Sequence, residues 1–395
     1  MPCIYRKKAV SGEPKSFGKS QNASCRVRLC ILICGFICWL ALGNLAEAMV
    51  TGKCSNCHTM HNSQGGMVMG DDNPNSALLV SDCVGCHTGN NQSGGTTPFV
   101  MGSGVTYTDH DTTGNSLAGG SFFFVSNNHA NGHNVSGLYS QDDQLGSLTP
   151  PGWTPGFYPN GDTSEEVNGG ATSWSTQLTC AGTNGCHGRH SLADPAAAMS
   201  GAHHTRETDL DGSTVGTSFR FLYGIRGVEA ADWEYSPSSS NHNVYMGIDR
   251  SSDSVPGSGK ASQTISFLCA ECHGDYHSGS GNLGALEDDI DVGSPWLRHP
   301  TDFDMNNVSS KEYGLYNGAS TSGGNTYNFL VPVGRDLVSL GAPADPTTVF
   351  NASGDAIVTC LSCHRAHGSP YYKIMRWDYK NGNGGDCTVC HTSKS

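Results

Sequence analysis

The sequence predicts a mostly irregular fold, with short helical turns, few short strands and a core that the chain's own apolar side chains do not make. Two observations lead there. Only 36% of the 395 residues are hydrophobic while 52 are Gly, which leaves little apolar material for a conventional core of this size. The same chain holds 17 Cys and 17 His, residue types that hold metals and cofactors. Charged residues make up 14%, against about 25% in typical soluble domains, so neither a charge-driven disordered tail nor a coiled coil fits. The formal charge of −13 argues against nucleic-acid binding, because no Lys/Arg surplus exists to displace phosphate counterions.

Residues 1–48 read as a signal peptide. Arg6, Lys7, Lys8, Lys15, Lys19, Arg26 and Arg28 precede an apolar run from Leu29 to Leu42, followed by Ala46-Glu47-Ala48. The run falls short of the ~20 residues that span a bilayer, and no later segment reaches that length. An uncleaved anchor is the alternative. No lipobox of small residues precedes Cys30, Cys34 or Cys38. Cleavage after Ala48 removes five Cys, seven Lys/Arg and two Asp/Glu, leaving 12 Cys, 15 basic and 33 acidic residues and a charge of −18. Residues 49–395 are expected to form a single domain.

Five times the sequence writes Cys-x-x-Cys-His: Cys54, Cys57, His58; Cys83, Cys86, His87; Cys269, Cys272, His273; Cys360, Cys363, His364; and Cys387, Cys390, His391. This is the attachment motif of c-type haem. Two thiols about one helical turn apart add to the two vinyl groups of one porphyrin, and the adjacent His lies under the iron as proximal ligand. Zinc is the alternative, but it wants four protein ligands in a tetrahedral set, which a His fixed after every second Cys serves poorly.

The remaining pair is irregular: Cys180-Ala-Gly-Thr-Asn-Gly-Cys186-His187. Its spacer is rich in residues that let a backbone loop out and return. A bulged haem site with His187 as proximal ligand is one reading, giving six haems, and a small disulfide loop is the other.

Six irons create demand for six more axial ligands, and eleven other His are available. His61, His133, His299 and His367 are the first candidates, with His203, His242 and His277 next, and His190 and His204 also in range. Met60, Met199 and Met246 are alternatives that would raise the potentials. His110 and His129 read as bystanders. In His58/His61, His187/His190 and His364/His367 the second His lies too close in sequence to reach the far side of its own haem, so it should ligate a neighbour and bring the haems side by side.

The motifs start at positions 54, 83, 180, 269, 360 and 387, so the first two and last two haems should form close pairs. Apolar runs at Ser121 to Val125, Phe219 to Ile225, Ile265 to Leu268 and Phe329 to Val333 read as strands. Gly89 to Thr97, Ser251 to Gly259 and Ser320 to Asn325 read as turns or linkers. Asp209-Leu-Asp211-Gly-Ser213 opens like a calcium loop but has Arg220 where an EF-hand needs Glu, so it reads as a solvated turn. The acidic run Glu287 to Asp291 reads as solvated surface.

The run from Cys54 through His61 to Gly66, Gly132-His-Asn, Cys269-Ala-Glu-Cys-His with His277, Leu297-Arg-His-Pro, and Cys360-Leu-Ser-Cys-His-Arg-Ala-His367 resemble the OmcS-type hexahaem cytochromes. That family has Cys-x-x-Cys-His at its third site, where this chain has the longer spacer. The resemblance implies export to the cell surface or beyond, an irregular fold wrapped around stacked bis-His haems, and conducting filaments. It also implies that His61 is donated to the haem of His364 in the next subunit, making a homopolymer. The expected function is long-range extracellular electron transfer to external acceptors, with no bond-making reaction. A multihaem reductase with an open iron at the third site, or a monomeric periplasmic shuttle, are the alternatives.

Overall fold

Among the described residues each α-helix starts where a side chain caps its first turn. The computed structural model describes residues 52–65, 67–68, 75–87, 97–102, 117–126, 128–141, 147–205, 210–249, 261–276, 301–308, 316, 325–343, 345–380 and 384–391. The expected signal peptide, the linker at Ser251 to Gly259, His110, His277, His299 and the Glu287 to Asp291 run lie outside the described residues. The described residues all fall within one unit, Ala48–Ser395.

The α-helices among them are Cys83–Cys86, Pro195–Ala198, Ile265–Ala270 and Leu337–Leu340. Each begins at a side chain that accepts an otherwise orphaned backbone N–H: Asp82 from Gly85, Asp194 from Ala197, Thr264 from Phe267, and Asp336 from Val338 and Ser339. The rest of the helical structure is short 3-10 turns, including Cys54–Asn56, Cys360–Ser362 and Gly384–Val389. Five of the six Cys motifs are therefore met by helical turns, as expected. Among the described residues no helix is long and apolar enough to cross a membrane.

Strands are two or three residues long and pair only two at a time. β1 (Ser63–Gln64) and β2 (Met67–Val68) make an antiparallel hairpin. β3 (Thr179–Ala181) runs parallel to β4 (Gly185–His187). Antiparallel pairs join β5 (Gly227–Val228) to β6 (Val244–Tyr245), β7 (Phe303–Asp304) to β10 (Ile357–Val358), and β8 (Asn325–Thr326) to β9 (Thr348–Val349).

The apolar runs expected as strands are not strands. Phe122–Ser126 is a 3-10 turn, Phe219–Phe221 another, and Ile265 opens an α-helix that ends in the Cys269 motif. Residues 329 to 331 form a turn and a bend, and 332 to 333 have no regular structure. A short apolar run reports burial, not period, and here the burial comes from packing on several sides. Phe122, Phe124 and Val125 are all buried, although on a 3-10 turn Phe122 and Val125 share a face that Phe124 does not.

The core is correspondingly divided. One cluster joins Met305, Tyr316, Tyr327, Val333, Val349, Phe350, Ala356 and Val358, with Val389 and Cys390 packed against it. Another joins Phe219, Leu222, Ile225, Tyr245, Ile265 and Leu361, with Cys186 and Leu268 against it. A domain of this size normally shows one contiguous core with small satellites. Here the described residues form separate patches, and the two largest each abut an attachment cysteine.

Candidate haem centres

Four proximal histidines face a second histidine ring across a constant gap. Ring centroids are 6.1 Å apart for His58 and His204, 6.3 Å for His87 and His203, 6.5 Å for His187 and His367, and 6.1 Å for His273 and His133. Rings this far apart are not in contact. Two imidazoles on opposite sides of one metal ion, each bonded at about 2.0–2.1 Å through a nitrogen about 1.1 Å from its centroid, lie about 6.2–6.4 Å apart. The observed gaps therefore suit one iron apiece.

The rings are also in the right chemical state. An iron ligand must be neutral, with its outer nitrogen engaged so that the inner lone pair is free. His58, His87, His187, His273 and His364 each set Nδ1 against a backbone carbonyl, of Ala77 (3.0 Å), Pro98 (3.0 Å), Arg220 (3.0 Å), Pro151 (2.7 Å) and Lys373 (2.9 Å). Burial lowers His187 and His273 to about 4 and His367 to about 3, and also lowers His133 and His203, so these rings stay neutral at physiological pH.

The first, third and fifth sites share one local device. Ala77-Leu78, Arg220-Phe221 and Lys373-Ile374 are successive non-glycine residues with positive φ, between 50° and 61°. Each double left-handed turn aims its first carbonyl at a proximal ring. Its second carbonyl accepts the N–H of the residue after that histidine: Thr59 to Leu78 (2.7 Å), Gly188 to Phe221 (2.9 Å) and Arg365 to Ile374 (2.8 Å). Such backbone costs about 1–2 kcal/mol per residue and persists only where the surroundings impose it. The second and fourth sites use proline carbonyls instead.

The third site departs from a helical turn because its spacer is too long for one. The register of β3 and β4 pairs Thr179 with Gly185 and Ala181 with His187, so Cys180 stands opposite Cys186. Opposed residues on neighbouring strands are about 4.7–4.9 Å apart, close to the ~5.4 Å rise of a helical turn. The extra residues loop out through Gly182, whose φ is +87°. The bulge thus restores the thiol spacing that the sequence lengthened, and the site keeps both the left-handed clamp and an opposed histidine.

Cysteines of successive motifs approach one another. Cys86 lies near Cys57, Cys83 shares a hydrogen bond with Cys180, Cys272 lies near Cys186, Cys269 shares a hydrogen bond with Cys360, and Cys363 lies near Cys387 and Cys390. Spatial order follows chain order. Cys54 completes the first pair with Cys57 and is exposed.

The remaining candidates among the described residues have other surroundings. His242 is not opposite a proximal ring: it stacks on Tyr327 at 3.6 Å, with Nδ1 against the Asn243 carbonyl (2.8 Å) and Nε2 against that of Pro346 (3.1 Å). His190 sets Nδ1 against the Glu165 carbonyl at 3.0 Å, beside the buried Glu165 carboxylate that accepts from Arg189 and Ser191. His61 is exposed beside β1, next to Met60, Met67 and Val68, all at least 70% exposed. His204, given less weight than His203 in the sequence, stands opposite His58. The two occupy one 3-10 turn, Ala202–His204, and turn to different proximal rings. His129 opens the turn His129–Asn131, and Asp211 accepts from Ser213 N at 2.8 Å in the solvated turn expected of it. Among the described residues no three His, Cys, Asp or Glu side chains converge to hold a lone metal ion, so the zinc alternative finds no donor set there.

Paired Cys–His motifs that place opposed imidazoles on either side of one position define a multihaem c-type cytochrome. The family of doubled CXXCH motifs matches residues 352–395. The chain is similar to C-type cytochrome OmcS of Geobacter sulfurreducens, at 25% identity over 82% of this chain and 78% of that one. Two solved structures also match: the outer membrane cytochrome S filament of G. sulfurreducens (18% identity, 83% and 84% coverage, TM-score 0.40) and the OmcS nanowires of that organism (19%, 84% of both chains, 0.41). The chain thus resembles OmcS-type multihaem cytochromes, and its Cys-x-x-Cys-His motifs are those that bind c-type haem covalently.

Proposed function

We propose that this chain is an exported electron conduit that holds six c-type haems and joins copies of itself into a filament. The four opposed histidine pairs carry the reading. When bound, the haems supply reversible one-electron oxidation and reduction of iron, and closely spaced haems make the protein a path for electrons.

The chain's own residues do the rest. Cys54/Cys57, Cys83/Cys86, Cys180/Cys186, Cys269/Cys272, Cys360/Cys363 and Cys387/Cys390 tether the six groups, and His58, His87, His187, His273, His364 and His391 ligate them from the proximal side. His204, His203, His367 and His133 close the distal positions of the first four. Two histidines per iron leave no site for substrate, which favours electron transfer over activation. His367 opposite His187 supports the same reading at the third site, where an enzyme would have its open iron. His299 and His277 remain candidates for the rest of the set.

For polymerisation, the supporting observation is the β1–β2 hairpin. It exposes His61 with Met60, Met67 and Val68, an apolar patch around an imidazole that has no partner among the described residues. We assign His61 to the His364 haem of the next copy, as the resemblance implies. Donors and extracellular acceptors are the other partners. The test is His61→Ala in the exported protein. Filaments lost with all haems attached support the reading. Filaments that persist, or a wild type that stays monomeric when concentrated, refute it.

A further inference from the structure

Arg376 is a buried cation with no counter-ion among the described residues. It is 4% exposed. Its backbone N–H donates to the Cys363 carbonyl at 2.8 Å, and its Nε donates to the Leu361 carbonyl at 2.6 Å, so the whole residue is fastened to the turn between Cys360 and Cys363. Both terminal nitrogens, Nη1 and Nη2, are buried without a hydrogen-bond partner. The ion pairs formed among the described residues involve Arg189, Arg220 and His190, and none involves Arg376.

That arrangement is not stable by itself. A buried charge stripped of its partner is strongly destabilising, and a guanidinium fork presents its two ends in the geometry that matches a carboxylate bidentately. The surroundings add another unanswered donor: the Tyr327 hydroxyl is buried without a partner, and Arg376 lies near enough for its charge to act on that phenol. No carboxylate of the described residues pairs with it. The cofactor of this chain does carry carboxylates, the two propionates of each haem, and motif five places a haem against this turn.

We infer that Arg376 is a clamp for the propionate of a haem packed against the fifth attachment motif, with Tyr327 as an accessory donor. The inference rests on haem attachment at Cys360 and Cys363, proposed above. Holding a cation against a propionate in a dry pocket stabilises the reduced iron of that haem, so Arg376 makes one step of the path easier to reduce than its neighbours. It is a positioning and tuning residue.

The test is a spectroelectrochemical titration of holoprotein carrying Arg376→Gln and Arg376→Lys, with intact mass to count haems. In Arg376→Gln one haem is expected to lose at least tenfold in its reduction equilibrium, 59 mV for one electron, with every haem still attached, and Arg376→Lys recovers part of the shift. An unshifted titration with full haem content overturns the inference. If Arg376→Gln does not accumulate, a cryo-EM map of the wild type decides: a propionate oxygen on the guanidinium supports the clamp, and an inorganic anion, a water or a protein carboxylate there overturns it. A wild-type mass lacking haem at motif five would instead sink the proposed function.

Discussion

His203 and His204 offer a test that only the paired geometry predicts. They are adjacent residues on one 3-10 turn, yet His204 stands 6.1 Å from His58 and His203 6.3 Å from His87. Replacing His204 by Ala should open one coordination position at the first haem, and His203→Ala one at the second. Both side chains are exposed, while the turn is anchored by the buried Ala202. Each haem would stay tethered through its own cysteines, so normalising to haem content separates loss of a ligand from loss of haem. Each single variant should convert about one-sixth of the haem from low-spin to high-spin ferric iron, and the double variant about one-third, because the two ligands serve different irons. Electron paramagnetic resonance of the oxidised protein, normalised to haem content, reads the fractions. The reasoning fails if either single variant stays wholly low-spin, or if the double variant gives no more than one single.

Other consequences follow from the same geometry. A Cβ on Gly119 would sit 2.9 Å from His367 Nδ1, so Gly119→Val should displace that ring and yield one further high-spin haem without loss of haem mass. Lys373 is exposed at φ 61°; Lys373→Gly should therefore stabilise the protein by about 1 kcal/mol, whereas Lys373→Ile should destabilise it, both read by denaturant titration with the haem spectrum as control. Burial depresses His187 and His273 to about 4 and His367 to about 3, below the unfolded value of 6.5. Their contribution to stability is complete above pH 6.5 and is lost as pH falls from there towards 4, since only the unfolded chain takes up the protons. A pH series of melting temperatures should show that decline, and a flat profile between pH 6.5 and 4 would contradict it.

The Cys–His motifs are legible in the sequence because covalent haem attachment requires two cysteines and a histidine in one short run. Distal ligands obey no spacing rule. His133 reaches His273 and His367 reaches His187 from remote parts of the chain, and segment 366–368 serves both: the Ala366 carbonyl takes His133 Nδ1 at 2.6 Å while His367 turns its own ring to His187. Nothing in Gly-Ala-His203-His204 signals that the two rings turn to different Cys motifs, His204 to His58 and His203 to His87. Asn-His242-Asn likewise says nothing of the Tyr327 ring on which that imidazole stacks. The clamps at Ala77-Leu78, Arg220-Phe221 and Lys373-Ile374 were invisible, since left-handed backbone is normally signalled by glycine and none is present. The strand-like runs were misread for a related reason: where cofactors supply the core, apolar residues gather wherever a haem edge needs cover, and periodicity fades.

The most direct measurement is a cryo-EM map of the haem-loaded protein at a resolution that separates porphyrin from side chain. The account predicts iron midway within each of the pairs His58/His204, His87/His203, His187/His367 and His273/His133, with thioether density from both Cys180 and Cys186. A disulfide between Cys180 and Cys186, or any of these pairs closed without iron between its rings, would contradict it.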